Sequence, residues 1–302
     1  MAMNLAAIRD MLLPGLNTLF GDYAQIPTQW SRVFDRTTSN MAIERDLEVR
    51  LLGLAQLRTE GQSTYFDNGM GQRSMYNYYH KGIGLGFIVT RSAIKDNLYK
   101  TQFKPNATAL RNSFQQTKEI YGANILNKGT TYDATVGGDG KALFATDHPI
   151  DTGTVANTPT TQAELNETSL QNALIAIRKF RNVAGLKFMS RGRLLIVPVE
   201  LEYTAQRLMQ SELRVGTADN DLNAIKSLGK LPEGFTAMDF LTDTKAWFIK
   251  TDSPDGFKYF DREPFESDVY VDFDTDNLKV KGYERYSFGY SNFRCAYGNF
   301  PT

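Results

Sequence analysis

Fifteen of the chain's 36 aromatic residues (2 Trp, 15 Tyr and 19 Phe) fall between Trp247 and Phe300, and many of them alternate with polar residues. In Tyr270-Val271-Asp272-Phe273 and Tyr286-Ser287-Phe288 every second side chain of an extended backbone points to the same side, so one face is apolar and the other polar. That pattern is a half-buried strand, and a chain that closes this way needs a second layer against its aromatic face. Phe288 falls on the core face and Ser287 on a wet one. A carboxylate should therefore be tolerated at 287 and not at 288.

Upstream the period changes from two to that of a helix. Leu170, Leu174, Ile177, Phe180 and Ala184 form one apolar stripe, Leu110, Phe114, Thr117, Tyr121 and Ile125 a second, and Leu201, Ala205, Leu208 and Leu213 a third. Pro105 suits the first turn of the second helix, after a shorter segment at Ile94 and Leu98. Thr161-Gln162-Ala163-Glu164 has capping-box spacing ahead of the first stripe. Leu194-Leu195-Ile196-Val197, closed by Pro198, reads as a buried strand. Leu5, Ile8, Leu12, Leu16 and Leu19 also recur at helical spacing, but Pro14 and Gly15 break the pattern. This segment is a terminal helix on its own domain or an arm that docks on a neighbour. The fold class is α+β, with helices in the middle and antiparallel strands late.

Two stretches resist this scheme. Ala55 to Gly86 holds six glycines and the aromatics Tyr65, Phe66, Tyr76, Tyr78 and Tyr79 among Ser, Asn and Gln. It reads as a two-stranded excursion with its tip around Asp67-Asn68-Gly69, and with few aliphatic residues it should need a partner surface. Asn127 to Thr161 is rich in Gly, Thr, Asp and Asn, the chemistry of a long loop.

At 302 residues the chain is one large domain or two ordinary ones. Its 34 Lys and Arg balance 34 Asp and Glu, which removes the clustered positive charge of a dedicated nucleic-acid binder. One cysteine, Cys295, makes no internal disulfide, and with only His80 and His148 a Cys/His metal site is excluded. A reducing, cytoplasmic setting follows. Arg9 and Asp10 interrupt the N-terminal apolar pattern, so it is neither a signal peptide nor a membrane span.

Candidate chemical sites fail on their companions. Asp272, Asp274 and Asp276 have the spacing that opens a calcium loop, but Asn277 stands where the turn needs Gly and Tyr283 where a bidentate Glu belongs, leaving a solvated strand face. Gly82-Ile83-Gly84-Leu85-Gly86 lacks the third glycine of a dinucleotide fingerprint, Phe87 standing in its place, and Gly140-Lys141 ends in Ala142 with Thr135 at the leading-glycine position of a P-loop. Asp147-His148 has no nucleophile elbow beside it. No catalytic, cofactor or metal residue is assigned, and a hydrolase acting through His148 is the weak alternative.

Charge is segregated instead. Arg178 to Arg193 carries six basic residues and no acid, among them Arg178, Lys179, Arg191 and Arg193, whereas Asp252 to Asp276 carries nine acids against Lys258 and Arg262. Two solvated faces would look like this, and so would two faces that meet between subunits.

Three stretches resemble the Mu-like major head subunits of phages. They are Lys141-Ala142-Leu143-Phe144-Ala145-Thr146-Asp147-His148-Pro149, the strand-to-helix junction Leu195 to Ala205, and the closing strands at Val271 to Leu278 and Glu284 to Gly289. They cover the last 160 residues or so, and the first 130 match mainly in the order of elements. The resemblance implies the Hong Kong 97-type capsid fold. An N-terminal arm would occupy 1–54, an extended loop 55–88, a peripheral domain with spine helix 89–198, an axial domain 199–245, and closing peripheral strands 246–302. It implies an icosahedral head shell of hexamers and pentamers around double-stranded DNA touched without specificity. Scaffold, portal and decoration proteins would be partners, with assembly in the host cytoplasm and residence in the virion capsid. An encapsulin-like nanocompartment is the alternative within the fold. The subunit contacts expected on this reading are Tyr65, Phe66, Tyr76, Tyr78, Tyr79, Arg178, Lys179, Arg191, Arg193, Asp272, Asp274 and Asp276.

Overall fold

In a computed structural model of the chain, residues 28–67, 69, 71–95, 99–133, 137–213 and 222–301 are described. The amphipathic pattern from Leu5 to Leu19, together with Asn68, Leu98 and Thr135, lies outside them. In chain order the elements are α1 (Trp30–Val33), β1 (Asp35–Thr38), β2 (Ile43–Arg50), β3 (Gly71–Tyr79), β4 (Lys81–Val89), α2 (Arg91–Lys95) and α3 (Tyr99–Asn127). There follow β5 (Gly137–Gly138), β6 (His148–Ile150), β7 (Gly153–Val155), α4 (Glu167–Arg178), β8 (Gly192–Pro198), α5 (Glu202–Gln210), α6 (Ala224–Ser227) and β9 (Phe235–Met238). Strands β10 (Trp247–Thr251), β11 (Phe257–Val271), β12 (Leu278–Tyr290) and β13 (Ala296–Asn299) close the chain.

The chain is α+β, and the late aromatic segment is built mainly of the four strands β10 to β13, with a turn at 272–277 and a short 3-10 turn at Phe293–Cys295 between them. One sheet has the order β1-β11-β12-β4 and a second β13-β10-β8-β9, each of four strands. The apolar run Leu194 to Val197 is continuous because the second sheet is covered on both faces. Leu194, Ile196 and Phe248 enter one core with Trp30, Phe34, Tyr259 and Tyr286, whereas Leu195, Val197, Trp247 and Ile249 enter another with Leu170, Ala173 and Ile177 of α4 and Ala205 and Leu208 of α5. A third core sets Ala107, Leu110 and Phe114 of α3 against Val269, Leu278 and Val280.

Helix boundaries depart from the sequence reading in two places. The long helix begins at Tyr99, so Pro105 sits inside it rather than in its first turn. The capping box of α4 is not at Thr161 and Glu164. Asn166 Oδ1 accepts from the Ser169 amide at 2.8 Å and Ser169 Oγ from the Asn166 amide at 2.9 Å, with Ser169 standing where the motif usually has Glu or Gln.

The polar stretch 127–161 is not an open loop. Asn157 is fully buried, and its side-chain amide donates to the carbonyls of Leu143 (2.6 Å), Phe293 (3.0 Å) and Ala296 (3.2 Å). His148, also fully buried, stacks on Phe293 with centroids 3.7 Å apart, its Nδ1 2.6 Å from Asp139 Oδ2 and its Nε2 3.2 Å from Asn157 Oδ1. Burial pushes the Asp139 carboxyl up, but the hydrogen bond and charge of His148 outweigh it and hold the group below its usual value. The stretch is packed by side chain to backbone bonds, which periodicity does not register.

The expected wet face of β12 is covered as well. Ser287 is buried, its Oγ 3.0 Å from His80 Nδ1, and a Cβ added to Gly289 would stand 2.5 Å from a ring carbon of Tyr78. Ser287→Asp and Phe288→Asp should therefore both destabilise the subunit by about 2 kcal/mol or more, since each places a charge in enclosed space. Thermal melting checks this. A Ser287→Asp variant that melts with the parent would mean that β12 is bare on that side.

Candidate assembly surface

What covers β12 is the root of a ribbon of β2 and β3, to whose β3 edge the two-residue β5 adds at Met75 and Tyr76. Strand β2 pairs antiparallel with β3, from Ile43 opposite Tyr79 to Arg50 opposite Gly71. The excursion thus starts inside the span assigned to the arm, and β4 leaves it to pair with β12 instead of forming its second strand.

Alternation along β2 runs opposite to that of an ordinary surface strand. Glu44, Asp46, Glu48 and Arg50 turn inward while Leu47 and Val49 turn outward. Each inward group is matched by the body of the subunit. Ser39 Oγ donates to Glu44 at 2.5 Å, Lys258 Nζ lies 2.6 Å from Asp46, and Arg294 Nη1 lies 2.9 Å from Glu48. Arg50 and Arg73 both reach Asp151, each at 2.6 Å. Burial would lower the Lys258 ammonium, but its bonds to Asp46 and Asp255 prevail and raise it above the usual lysine range. Arg294 is buried, donates to the Arg181 carbonyl at 2.6 Å and lies over the Phe293 ring at 4.2 Å. Such enclosed pairs are costly to split once formed.

The inner face of β3 adds Tyr76 and Tyr78, each 1% exposed, and Tyr78 OH bonds to Ser291 Oγ. Burial raises both phenols. These two tyrosines correct the expectation that the excursion cannot bury its aromatics at home, because their rings are part of the subunit's own interior. The outward face is different. Leu47, Val49, Met75 and Tyr79 are 42–48% exposed, and beyond them Leu51, Leu52, Leu54, Tyr65 and Phe66 are more exposed still, with Leu57 at 99%. The base of the connecting segment is gathered by Asp67, whose carboxylate accepts from the Gly53 and Gly69 amides at 2.8 Å each and is held below its usual value by those bonds. A charged inner face with an aliphatic outer one fits a ribbon fastened to its own chain and offering apolar area to another.

The charged stretches sit elsewhere. Arg178 ends α4 with Lys179 as its exposed C-cap, while Arg191 and Arg193 flank the start of β8. Arg178, Arg191, Arg193 and Lys230 line one cavity of about 340 Å³, with Arg193 held by Glu233 at 2.9 Å. Asp272, Asp274 and Asp276 lie in the turn joining β11 to β12, not on a strand face, which corrects the sequence reading. Asp272 pairs with Lys279 at 3.0 Å and Asp276 with Arg91. Among the described residues no group of His, Cys, Asp and Glu is arranged to hold a metal, and no helix is long and apolar enough to cross a membrane.

Sequence reading missed the inward ladder and its partners Lys258, Arg294 and Asp151. The signal lies in Glu44-Arg45-Asp46-Leu47-Glu48-Val49-Arg50, where charged and apolar residues alternate at strand spacing within the span expected for the arm.

A family model described as phage capsid protein matches residues 80–299. Among solved structures, the chain is similar to a virus-like particle from Pyrococcus furiosus, with 10% identity over 95% of this chain and 98% of that one and a TM-score of 0.55. It is also similar to the procapsid of bacteriophage JBD30 (14% identity, 99% and 77% covered, TM-score 0.53) and to Mycobacterium phage Che8 (14%, 89% and 90%, 0.53). These likenesses concern the fold. Among curated proteins, none matches by sequence.

Proposed function

The chain belongs to the phage capsid protein family, and we propose that the outward face of its ribbon ties each copy to the next. It is a major capsid protein, its place is the virion capsid, and copies of it form the head shell. The observation that carries the ribbon's role is its inversion. Leu47, Val49, Met75 and Tyr79 face outward while carboxylates face inward. The ribbon gains little by exposing aliphatic side chains to water, whereas the same area laid on a second copy is buried once per subunit around a closed shell.

On this reading the shell is icosahedral, built of hexamers and pentamers, and encloses double-stranded DNA that it touches without sequence preference. Scaffold, portal and decoration proteins are its further partners, and assembly takes place in the host cytoplasm. The arm is 1–54 and the extended loop 55–88, with the loop's strands at Ile43–Arg50 and Gly71–Tyr79 drawing the arm's end forward. The peripheral domain is 89–198 with 246–302, and the axial domain is 199–245. Placement among the Mu-like head subunits rests on the three sequence stretches alone. The chain acts as a structural protein: His148, through which a hydrolase would work, is enclosed and bonded to Asp139 and Asn157. Shells loaded with genomic DNA would fit this reading, and shells filled with one enzyme would replace it with a nanocompartment.

Leu47→Asp with Met75→Asp tests the ribbon. Both side chains lie on the outward face and opposite each other in the register. The double variant should melt within a few degrees of the parent and assemble poorly, since two charges would have to be desolvated in every contact. Normal shells would show that this face stays in water.

A further inference from the structure

The turn between β11 and β12 ends in an aromatic knob. Phe273 is 97% exposed, flanked by Asp272 and Asp274. Of the three carboxylates in the turn, Asp272 is engaged by Lys279 and Asp276 by Arg91, while Asp274 is exposed and has no ion pair among the described residues. A phenyl ring wholly in water beside an uncommitted carboxylate is a poor surface but a good plug.

The cavity below α4 has the opposite character. Arg178, Arg191 and Lys230 stand around it, and Leu174, Leu228 and Pro232 supply apolar wall. The acid in its lining, Asp252, accepts through Oδ1 from the Arg191 amide at 2.7 Å and from Ser190 Oγ at 3.2 Å, and a second acid, Glu233, is paired with Arg193 at 2.9 Å, which leaves Arg178, Arg191 and Lys230 as the cationic side of the cavity. Apolar wall does nothing for a bare phosphate, and it suits a ring that arrives with a carboxylate beside it.

The geometry points to a contact in which the Phe273–Asp274 knob of one copy fills this cationic, apolar-walled cavity on another copy. This rests on the shell reading given above. The two features cannot meet within one chain: β11 leaves the cavity side five residues after Asp252 and runs 15 residues to the knob, about 50 Å at ~3.3 Å per residue. A patch that fits a different patch of the same chain makes a head-to-tail contact, which closes rings and lattices.

The test uses shells of the full chain carrying Thr275→Cys and Leu228→Cys. Cys295 is 1% exposed, so only the introduced thiols should react. Mild oxidation of these shells should give ladders of disulfide-linked chains on a non-reducing gel, and neither single variant should. In parallel, Asp274→Arg and Arg191→Glu should each lower shell yield several-fold, and the two together should restore it. Shells without ladders, or a charge swap without recovery, would overturn the contact while leaving the capsid reading in place. A loss of retained DNA with unchanged shell yield in Arg191→Glu would overturn it in favour of phosphate binding. If the double-cysteine chain does not assemble, the charge swap decides. A parent chain that forms no shells would remove the capsid reading and this contact with it.

Discussion

Removing residues 52–67 and joining Leu51 to the start of β3 through a short Gly/Ser linker should yield a folded subunit that builds no shells. The segment contributes nothing to the three cores and is exposed from Leu52 to Phe66, so its loss takes away almost no buried area. What it removes is the apolar reach of the ribbon, including Leu54, Leu57, Tyr65 and Phe66. A deletion that cut back to Tyr79 would be a worse experiment, because it would take Tyr76 and Tyr78 out of the interior. Melting should fall by no more than a few degrees while electron microscopy finds no closed particles. Normal particles from the shortened chain would sink the role given to the ribbon.

Lys118→Met should produce the largest loss of subunit stability. Lys118 on α3 lies 2.7 Å from Glu284 on β12, with 9% and 1% of their side chains exposed. Its ammonium also stands over the Tyr286 ring at 5.0 Å and the Tyr259 ring at 5.7 Å. Removing the cation takes from the buried Glu284 carboxylate its ion-pair partner at 2.7 Å, and breaking a buried pair from one side typically costs about 3–5 kcal/mol. At about 2–4 °C per kcal/mol the melting temperature should drop by roughly 10 °C. Lys118→Met with Glu284→Leu should recover most of it, because an apolar pair of similar volume needs no compensation. A single variant as stable as the parent would mean that α3 is not seated on this sheet.

The sequence made the strands of the C-terminal part legible because their alternation is local and strongly aromatic. α4 and α5 were legible because each buries one face and so repeats at helical spacing, and β8 because both its faces are buried and its apolar run Leu194 to Val197 is unbroken. Three features were not. Asn157 and His148 organise the 127–161 stretch through bonds to backbone carbonyls of residues far along the chain, and no spacing rule reports that. Ser287 was read as wet because alternation says which side a residue faces and not whether that side is covered. The inward ladder Glu44, Asp46, Glu48 and Arg50 depends on the Ser39 hydroxyl, the cations Lys258 and Arg294 and the Asp151 carboxylate, and its ion pairs become visible only when the ribbon is laid on the body. Opposite charges at 178–193 and 252–276 were evident, yet within one chain they do not face each other apart from the contact of Asp252 with Ser190 and the Arg191 amide.

Electron microscopy of the assembled parent protein, at a resolution that traces the backbone, tests the central claim most directly. The account predicts closed shells in which Leu47, Val49, Met75 and Tyr79 of every copy are covered by a neighbouring chain. Shells in which those four side chains face solvent, or preparations that contain only monomers, would contradict it.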